Sequence, residues 1–309
     1  MKRFGAVLVL AAFLGCTDPL DPVGNVHDLR LLAMRADPPE QRVGDLRPVK
    51  VTALIANPPG EFLVGCTWVT CAEQDSATSR CLETSPGFSV LDAGEFSVVQ
   101  TGPDGAESSV TFQPDLALLK MIGAADPYRG LAGVRQVVQV ELRAGAETVV
   151  GFKRVVFTIP TGAPVALNQN PVVGPIEFND AGWAPDASVT FELAPVRMPG
   201  RMPPGTPQVS NHLVVLEDKS LQEDYSVRTF EGETRVLHET WRYSFFASRG
   251  SFNPTSAGGA NLLNPDAGVD TFWSPISNED GGSGATTVWI VVRDGRGGES
   301  WVVRHALAP

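Results

Sequence analysis

Apolar residues in this chain recur at every second position, in many short runs. Val49, Val51, Ala53 and Ile55 alternate with Lys50, Thr52 and Leu54, and the same beat returns in Val138, Val140 and Leu142, in Val155, Phe157 and Ile159, and in Val288, Ile290 and Val292. A period of two puts successive side chains on opposite faces of an extended backbone, so each run is a strand with one buried face. Turn chemistry separates the runs. The chain carries 31 Gly and 25 Pro against 19% charged residues, with Asn57-Pro58-Pro59-Gly60 and Asp294-Gly295-Arg296-Gly297-Gly298 as clear stops. Many short strands punctuated by turns specify an all-β chain built of sandwiches rather than bundles or α/β layers. No period of about 20–50 residues repeats closely enough for a solenoid or propeller.

The length of 309 residues suits two domains. The first runs over residues 27–160. In it Val64, Cys66 and Trp68 share one face of a strand over Leu63 to Cys71. A tryptophan on a central strand is a usual core anchor of immunoglobulin-like sandwiches. Asp115 to Ile122, with Pro114 just before it, is the best helix candidate and reads as a short crossover between sheet edges. Ala144-Gly145-Ala146 is the turn of a hairpin. Thr161-Gly162-Ala163-Pro164 reads as the linker, and the second domain, residues 161–309, opens on Asn168-Gln169-Asn170-Pro171. Its strands include Val189, Phe191 and Leu193 on one face, the apolar run Leu213 to Leu216, and a long alternating stretch with Leu237, Glu239, Trp241, Tyr243 and Phe245 on one side. Trp241, Tyr243 and Phe245 could stack sugars, but such a stripe reads first as a core face. The chain ends in a hairpin in which Val288, Ile290 and Val292 run up to the Asp294–Gly298 turn and Trp301, Val303 and His305 run back. Asp-Gly and Gly-Gly supply the positive φ that tight hairpins require.

The N-terminus sets the expected compartment. Lys2 and Arg3 precede an apolar run from Gly5 to Leu14, too short to span a bilayer, and Gly15 and Cys16 follow. Residues 1–15 read as a signal peptide. Phe13-Leu14-Gly15-Cys16 resembles the lipobox of bacterial lipoproteins, departing from it at Phe13, where Leu is commoner. The resemblance implies that Cys16 is acylated and becomes the mature N-terminus, with residues 16–26 as the lipidated spacer. Thr17, in place of an Asp, implies the outer membrane by the sorting rule of enteric bacteria.

Two longer stretches resemble one family. Leu29 to Pro59, with Cys66, Trp68 and Cys71, and the segments Glu239 to Pro254 and Val288 to Trp301 are similar to predicted lipoproteins common in myxobacteria. The final hairpin also resembles the last strands of bacterial immunoglobulin-like and cadherin-like repeats. The family implies location and fold; it implies no chemistry.

With Cys16 assigned to lipid, Cys66, Cys71 and Cys81 remain. An exported protein meets an oxidising compartment, so a disulfide is expected. Cys66 and Cys71 are five apart on one strand and point to opposite faces, so Cys71–Cys81 fits better and Cys66 becomes a buried thiol beside Trp68. The spacing C-x4-C-x9-C lacks a nearby His and does not match the usual zinc patterns, so no metal site is expected there. Net charge is −11 and no basic patch is visible, which argues against a nucleic-acid partner.

No catalytic motif is complete. His238-Glu239-Thr240-Trp241-Arg242 begins like a zinc-protease motif but carries Arg where the second His belongs. Gly281 to Ala285 lacks the last Gly of a nucleophile elbow. His27, His212, His238 and His305 are scattered. Glu217-Asp218, Glu223-Asp224 and Glu279-Asp280 read as solvated loops, and Asp294 and Asp280 are the least remote candidates for calcium. The expectation is a non-enzymatic interaction or structural module, without cofactor, held to the membrane by its lipid and facing an envelope protein or polysaccharide. Its contact surfaces would be the Pro-rich loop 198–207 and the Gly-rich segment 256–284. The other reading is a carbohydrate-binding protein or an accessory module of a secreted hydrolase, using Trp183 and Trp273 from loop-like sequence.

Overall fold

The computed structural model describes residues 24–308, apart from residues 73, 76 and 230 and the segments 58–61, 92–96, 126–132, 160–165, 193–210, 259–267 and 275–283. The signal peptide, Cys16, the linker Thr161–Pro164, Leu193, Asp280 and the loop 198–207 lie outside the described residues. Strands dominate, as the period-two pattern requires, and they form two immunoglobulin-like sandwiches.

In the first sandwich, strands Arg30–Asp37, Val49–Ala56 and Ala106–Phe112 make one sheet. The facing sheet orders Glu40–Arg42, Glu147–Thr158, Val134–Ala144, Phe62–Cys71 and Ser89–Val90, with Ser97–Thr101 also paired to Phe62–Cys71. The first strand divides between the sheets. Arg30–Asp37 pairs antiparallel with Val49–Ala56; then Pro38 and Pro39, which have no N–H to donate, interrupt the ladder, and Glu40–Arg42 pairs parallel with Val156 to Thr158. Val51, Ile55, Val64, Trp68, Val138, Val140, Leu142, Val155 and Phe157 fill the space between the sheets. Trp68 is wholly buried there, its indole N–H donating to Ser108 Oγ at 3.3 Å. The expected helix forms as Leu116–Ala125, its first turn capped by Asp115, whose carboxylate accepts from Ala117 N–H at 2.8 Å. It joins strands of opposite sheets and buries Leu118 and Leu119.

The second sandwich repeats the division. Ile176–Phe178 pairs antiparallel with His212–Val215, and Ser188–Thr190 then pairs parallel with the last strand, Glu299–Ala308. One sheet orders Ala181–Gly182, Ile176–Phe178, His212–Val215, Asp270–Ser274 and Ser251–Asn253; the other orders Ser188–Thr190, Glu299–Ala308, Gly284–Arg293, Arg242–Ala247 and Ser256–Gly258. Trp241, Tyr243 and Phe245 are core, packed with Phe191, Phe252, Trp273 and Ile290.

Three expectations need correction. The alternating stretch from Val236 to Phe245 is not one strand. It breaks at Glu239–Trp241 because Glu239 turns inward to a buried ionic partner, and Leu237 stays on an exposed hairpin strand, Thr234–His238, instead of the core face. The segment 256–284 is not all loop, since it supplies Ser256–Gly258, Asp270–Ser274 and the start of Gly284–Arg293. Trp183 lies in irregular backbone just after Ala181–Gly182 and Trp273 on the strand Asp270–Ser274, but neither is offered to a ligand: they are 3% and 4% exposed, with Trp273 stacked on Phe191 at 4.5 Å.

Candidate functional site

The residues with the most unusual chemistry gather where the two sandwiches meet. An apolar patch forms the contact. Leu32, Ala33, Leu54 and Ala56 on the outer face of the first sandwich bury against Trp289 and Val291 of the second, with Trp301 and Val303 beside them. Each tryptophan here also has a polar handle: Trp289 Nε1 donates to the carbonyl of Asp104 at 3.0 Å, and Trp301 Nε1 to Glu107 at 2.7 Å.

Around that patch the second sandwich caps the open edge of strand Arg30–Asp37. Outward-facing backbone groups on a strand alternate, and those of Leu32, Met34 and Ala36 point away from the sheet. Arg293 donates to the carbonyl of Leu32 at 2.8 Å, Glu299 accepts from the N–H of Met34 at 3.1 Å, and Asn170 donates to the carbonyl of Ala36 at 2.8 Å. Asn170 also accepts from Glu299 N–H at 3.0 Å. Glu299 is inserted deepest. Its carboxylate meets Lys153 Nζ at 3.0 Å and also pairs with Arg293. A cleft of about 510 Å³ lies alongside, lined by Leu31 to Met34, Val149 to Lys153 and the final turn. Its charged side chains, Lys153, Arg293 and Glu299, are paired with one another.

The final turn organises the rest. Asp294 Oδ1 accepts from the N–H groups of Arg296 at 2.6 Å, Gly297 at 2.9 Å and Gly298 at 2.9 Å, while Oδ2 takes Asn168 Nδ2 at 2.8 Å. This carboxylate caps the turn. Burial pushes its pKa up, and the hydrogen bonds from Asn168 and the turn oppose that. Gly298 is required, because a Cβ there would sit 2.1 Å from Asp294 Oδ2 and 2.7 Å from the carbonyl of Gln169.

Arg296, held out by this turn, binds three carboxylates from three places: Glu239 at 2.8 Å, Glu223 at 3.1 Å and Glu40 of the first sandwich at 3.3 Å. Its guanidinium lies 4.4 Å from the centre of the Tyr225 ring. Glu223 and Glu239 are the two feet of a hairpin, Asp224–Arg228 with Thr234–His238, that forms a two-stranded sheet of its own. Every residue of Thr234–His238 is exposed, Val236 at 68%. Among the described residues, this hairpin offers an unbroken run of exposed side chains.

Other residues singled out in the sequence do not join the junction's chemistry. Cys71 and Cys81 form a disulfide with Cα atoms 5.8 Å apart, and Cys66 is buried outside it. His238 bonds Asp224 at 2.8 Å and Gln222 at 3.1 Å at the end of an extended strand. His212 stacks on Phe272 at 4.5 Å. Asp218 caps the turn Lys219–Leu221 through Ser220. Among the described residues, no group of three or more His, Cys, Asp or Glu is placed to hold a metal ion.

Sequence reading missed Arg296, Glu40, Glu299 and Lys153. A signal was present: Lys153 shares the strand face of Val155 and Phe157, and Glu239 that of Trp241 and Tyr243. A charge at a core-facing position needs a partner.

No protein-family model matches the chain, and no curated protein matches it. Among solved structures it is similar to the D0-D1 domain of intimin, at 13% identity over 90% of this chain and 96% of that one, with a TM-score of 0.22. The neural ectodermal development factor IMP-L2 aligns at 11% identity over 93% and 96%, TM-score 0.22. Red sea bream transglutaminase aligns at 10% identity over 92% of this chain, TM-score 0.27, and the chain spans 32% of its length. The immunoglobulin-like assignment rests on the strand order and on the divided first strand of each sandwich.

Proposed function

We propose that this chain is a lipid-anchored cell-envelope protein that acts as a non-enzymatic interaction or structural module, carried at the outer membrane by acylated Cys16. The observation that carries the module reading is the junction. Two sandwiches are locked by a buried apolar patch and by Glu299 and Arg296, and an exposed hairpin is rooted on the lock. A rigid scaffold that holds one exposed element is the arrangement expected of a contact surface. The partner would be an envelope protein or polysaccharide reached by that hairpin. The lipobox-like Phe13-Leu14-Gly15-Cys16 supports the anchor.

The test is metabolic labelling with a fatty acid, comparing wild type with Cys16→Ala, together with a photo-cross-linking residue at Val236 in living cells. Label on the wild type alone, and a discrete cross-linked envelope product from Val236, are the expected results. Absence of label on the wild type overturns the anchor. Absence of any product overturns the hairpin as the contact surface.

A further inference from the structure

We propose that Arg296 and the glutamates around it form a proton-set latch, which fixes the 224–238 hairpin to both sandwiches in mildly acidic surroundings and loosens it as the pH rises. The geometry is unusual in its charge balance. One guanidinium, its side chain 14% exposed, is shared by Glu40 at 13%, Glu223 at 20% and Glu239 at 2%. Asp294 caps the same turn two residues away. Four carboxylates against one cation leave the site with excess negative charge whenever all are ionised.

Each element packed against the latch contributes a known group. From the first sandwich comes Glu40, which also accepts from Thr158 Oγ1 and from Asn168 N–H at 2.8 Å. From the hairpin come Glu223, Glu239 and the face of Tyr225. Glu239 is further bonded by Trp241 Nε1 at 3.2 Å and by Glu223 N–H at 3.2 Å. From the final turn come Asp294 and Arg296. One rung out, His238 bonds both Asp224 and Gln222.

The hairpin depends on this site. A two-stranded ribbon alone is marginal in water, and Thr234–His238 has no buried residue to hold it. Release of its feet from Arg296 leaves the ribbon's own hydrogen bonds, Trp241 Nε1 on Glu239 and the backbone N–H of Gln169 on Glu223. The carboxyl of Glu223 is pushed up, first by burial and second by the charge of Glu239, against the pull of Arg296. A carboxyl that holds its proton more tightly in the closed latch than in the open arm stabilises the closed form at low pH. That contribution is lost as pH rises from the ordinary carboxylate range through the raised value.

The test is amide hydrogen exchange of the purified full chain at pH 5 and pH 8, each rate normalised to that of unstructured chain at the same pH. The hairpin amides are compared with those of the core strand Gly284–Arg293. The expected result is a fall in hairpin protection between pH 5 and pH 8, at most about tenfold for each unit by which closure tightens proton binding and less by the part already lost at pH 5, with a smaller change in the core strand. Glu223→Gln keeps the hydrogen-bonding shape and removes the titration, so it should flatten the response. Arg296→Gln should give low hairpin protection at both pH values. Unchanged or rising hairpin protection in the wild type, or a Glu223→Gln response equal to wild type, overturns the latch.

Discussion

Replacing Glu299 by alanine should be the most damaging single change at the domain junction. The side chain of Glu299 is 7% exposed and that of its partner Lys153 is 10% exposed. Truncation leaves an ammonium group buried without its counter-charge, a change that costs about 3–5 kcal/mol for buried pairs. It also strands the N–H of Met34, worth about 1–3 kcal/mol when a buried donor loses its acceptor. The two costs overlap, because a Lys153 freed from Glu299 can turn its amine toward the adjoining cleft, so about 3–5 kcal/mol is the expected total. Domains of this kind are stable by only about 5–15 kcal/mol, so this is a large fraction. Glu299→Gln keeps an oxygen for Met34 and Lys153 and should cost less, about 1–2 kcal/mol. Lys153→Met leaves Glu299 with Arg293 and Met34 and should cost about 1–3 kcal/mol. In the double variant Lys153→Met/Glu299→Ala the penalties should fall short of their sum by at least about 1 kcal/mol, since the isolated charge no longer exists. The assay is equilibrium urea unfolding, read by tryptophan fluorescence and by far-ultraviolet circular dichroism. Trp289 and Trp301 lie at the junction and report its loss. Glu299→Ala should also separate the two probes, as the sandwiches begin to unfold apart. A cost below about 1 kcal/mol, or additive penalties in the double variant, would refute the claim that this carboxylate locks the two units.

Two other outcomes follow from the core and the disulfide. The Cys71–Cys81 bridge closes a loop of sequence separation 10, so Cys81→Ser should lower stability by about 2–3 kcal/mol, and the denatured, unreduced, lipid-processed chain should titrate one thiol, that of Cys66; a count of three contradicts the bridge. Trp273→Ala should cost about 3–5 kcal/mol in urea unfolding, and Gly250→Ala should be harmful for the same reason, because a Cβ there would lie 2.4 Å from the Trp273 ring at a φ of +68°; a Trp273→Ala variant of wild-type stability would return that residue to the surface.

The sandwiches were legible because strand periodicity is local. Val49 to Ile55, Val138 to Leu142 and Val288 to Val292 each show a buried face without reference to any other part of the chain, and the structure places each as a core strand. Trp68 and the Cys71–Cys81 pairing were legible for the same kind of reason, since both depend on face and loop length within one short segment. The stretch Val236 to Phe245 shows where local periodicity ceases to determine structure. Its alternation is unbroken in sequence, but Glu239 has a partner 57 residues away, and that ion pair breaks the strand. Trp183 and Trp273 failed differently. Their flanks are rich in Gly, Pro and Asn and read as loop, yet a large aromatic is buried in the core whether irregular backbone carries it, as for Trp183, or a strand, as for Trp273.

The final turn shows why the junction could not be read in advance although every residue of it is conspicuous. Asp294-Gly295-Arg296-Gly297-Gly298 announces a tight turn, and the turn is there, with Gly295 and Gly297 at φ of +77° and +119°. A turn needs Asp294 and the glycines; it does not need Arg296. The arginine's role appears only when Glu40, 256 residues earlier, and the hairpin feet Glu223 and Glu239 arrive around it. Likewise Glu299 looks like a strand-start residue until Lys153 and Met34 receive it across 146 and 265 residues. The polar residues that bind the sandwiches are the ones that violate the local pattern: Lys153 and Glu239 on core-facing positions, and Asn168 and Asn170 in an otherwise plain entry to the second sandwich. In a chain of two similar sandwiches, breaks in alternation therefore point to long-range ionic contacts, because a buried charge that no neighbour on its own strand can satisfy must find its partner elsewhere: Lys153 finds Glu299 in the other sandwich, and Glu239 finds Arg296 on the final turn of its own.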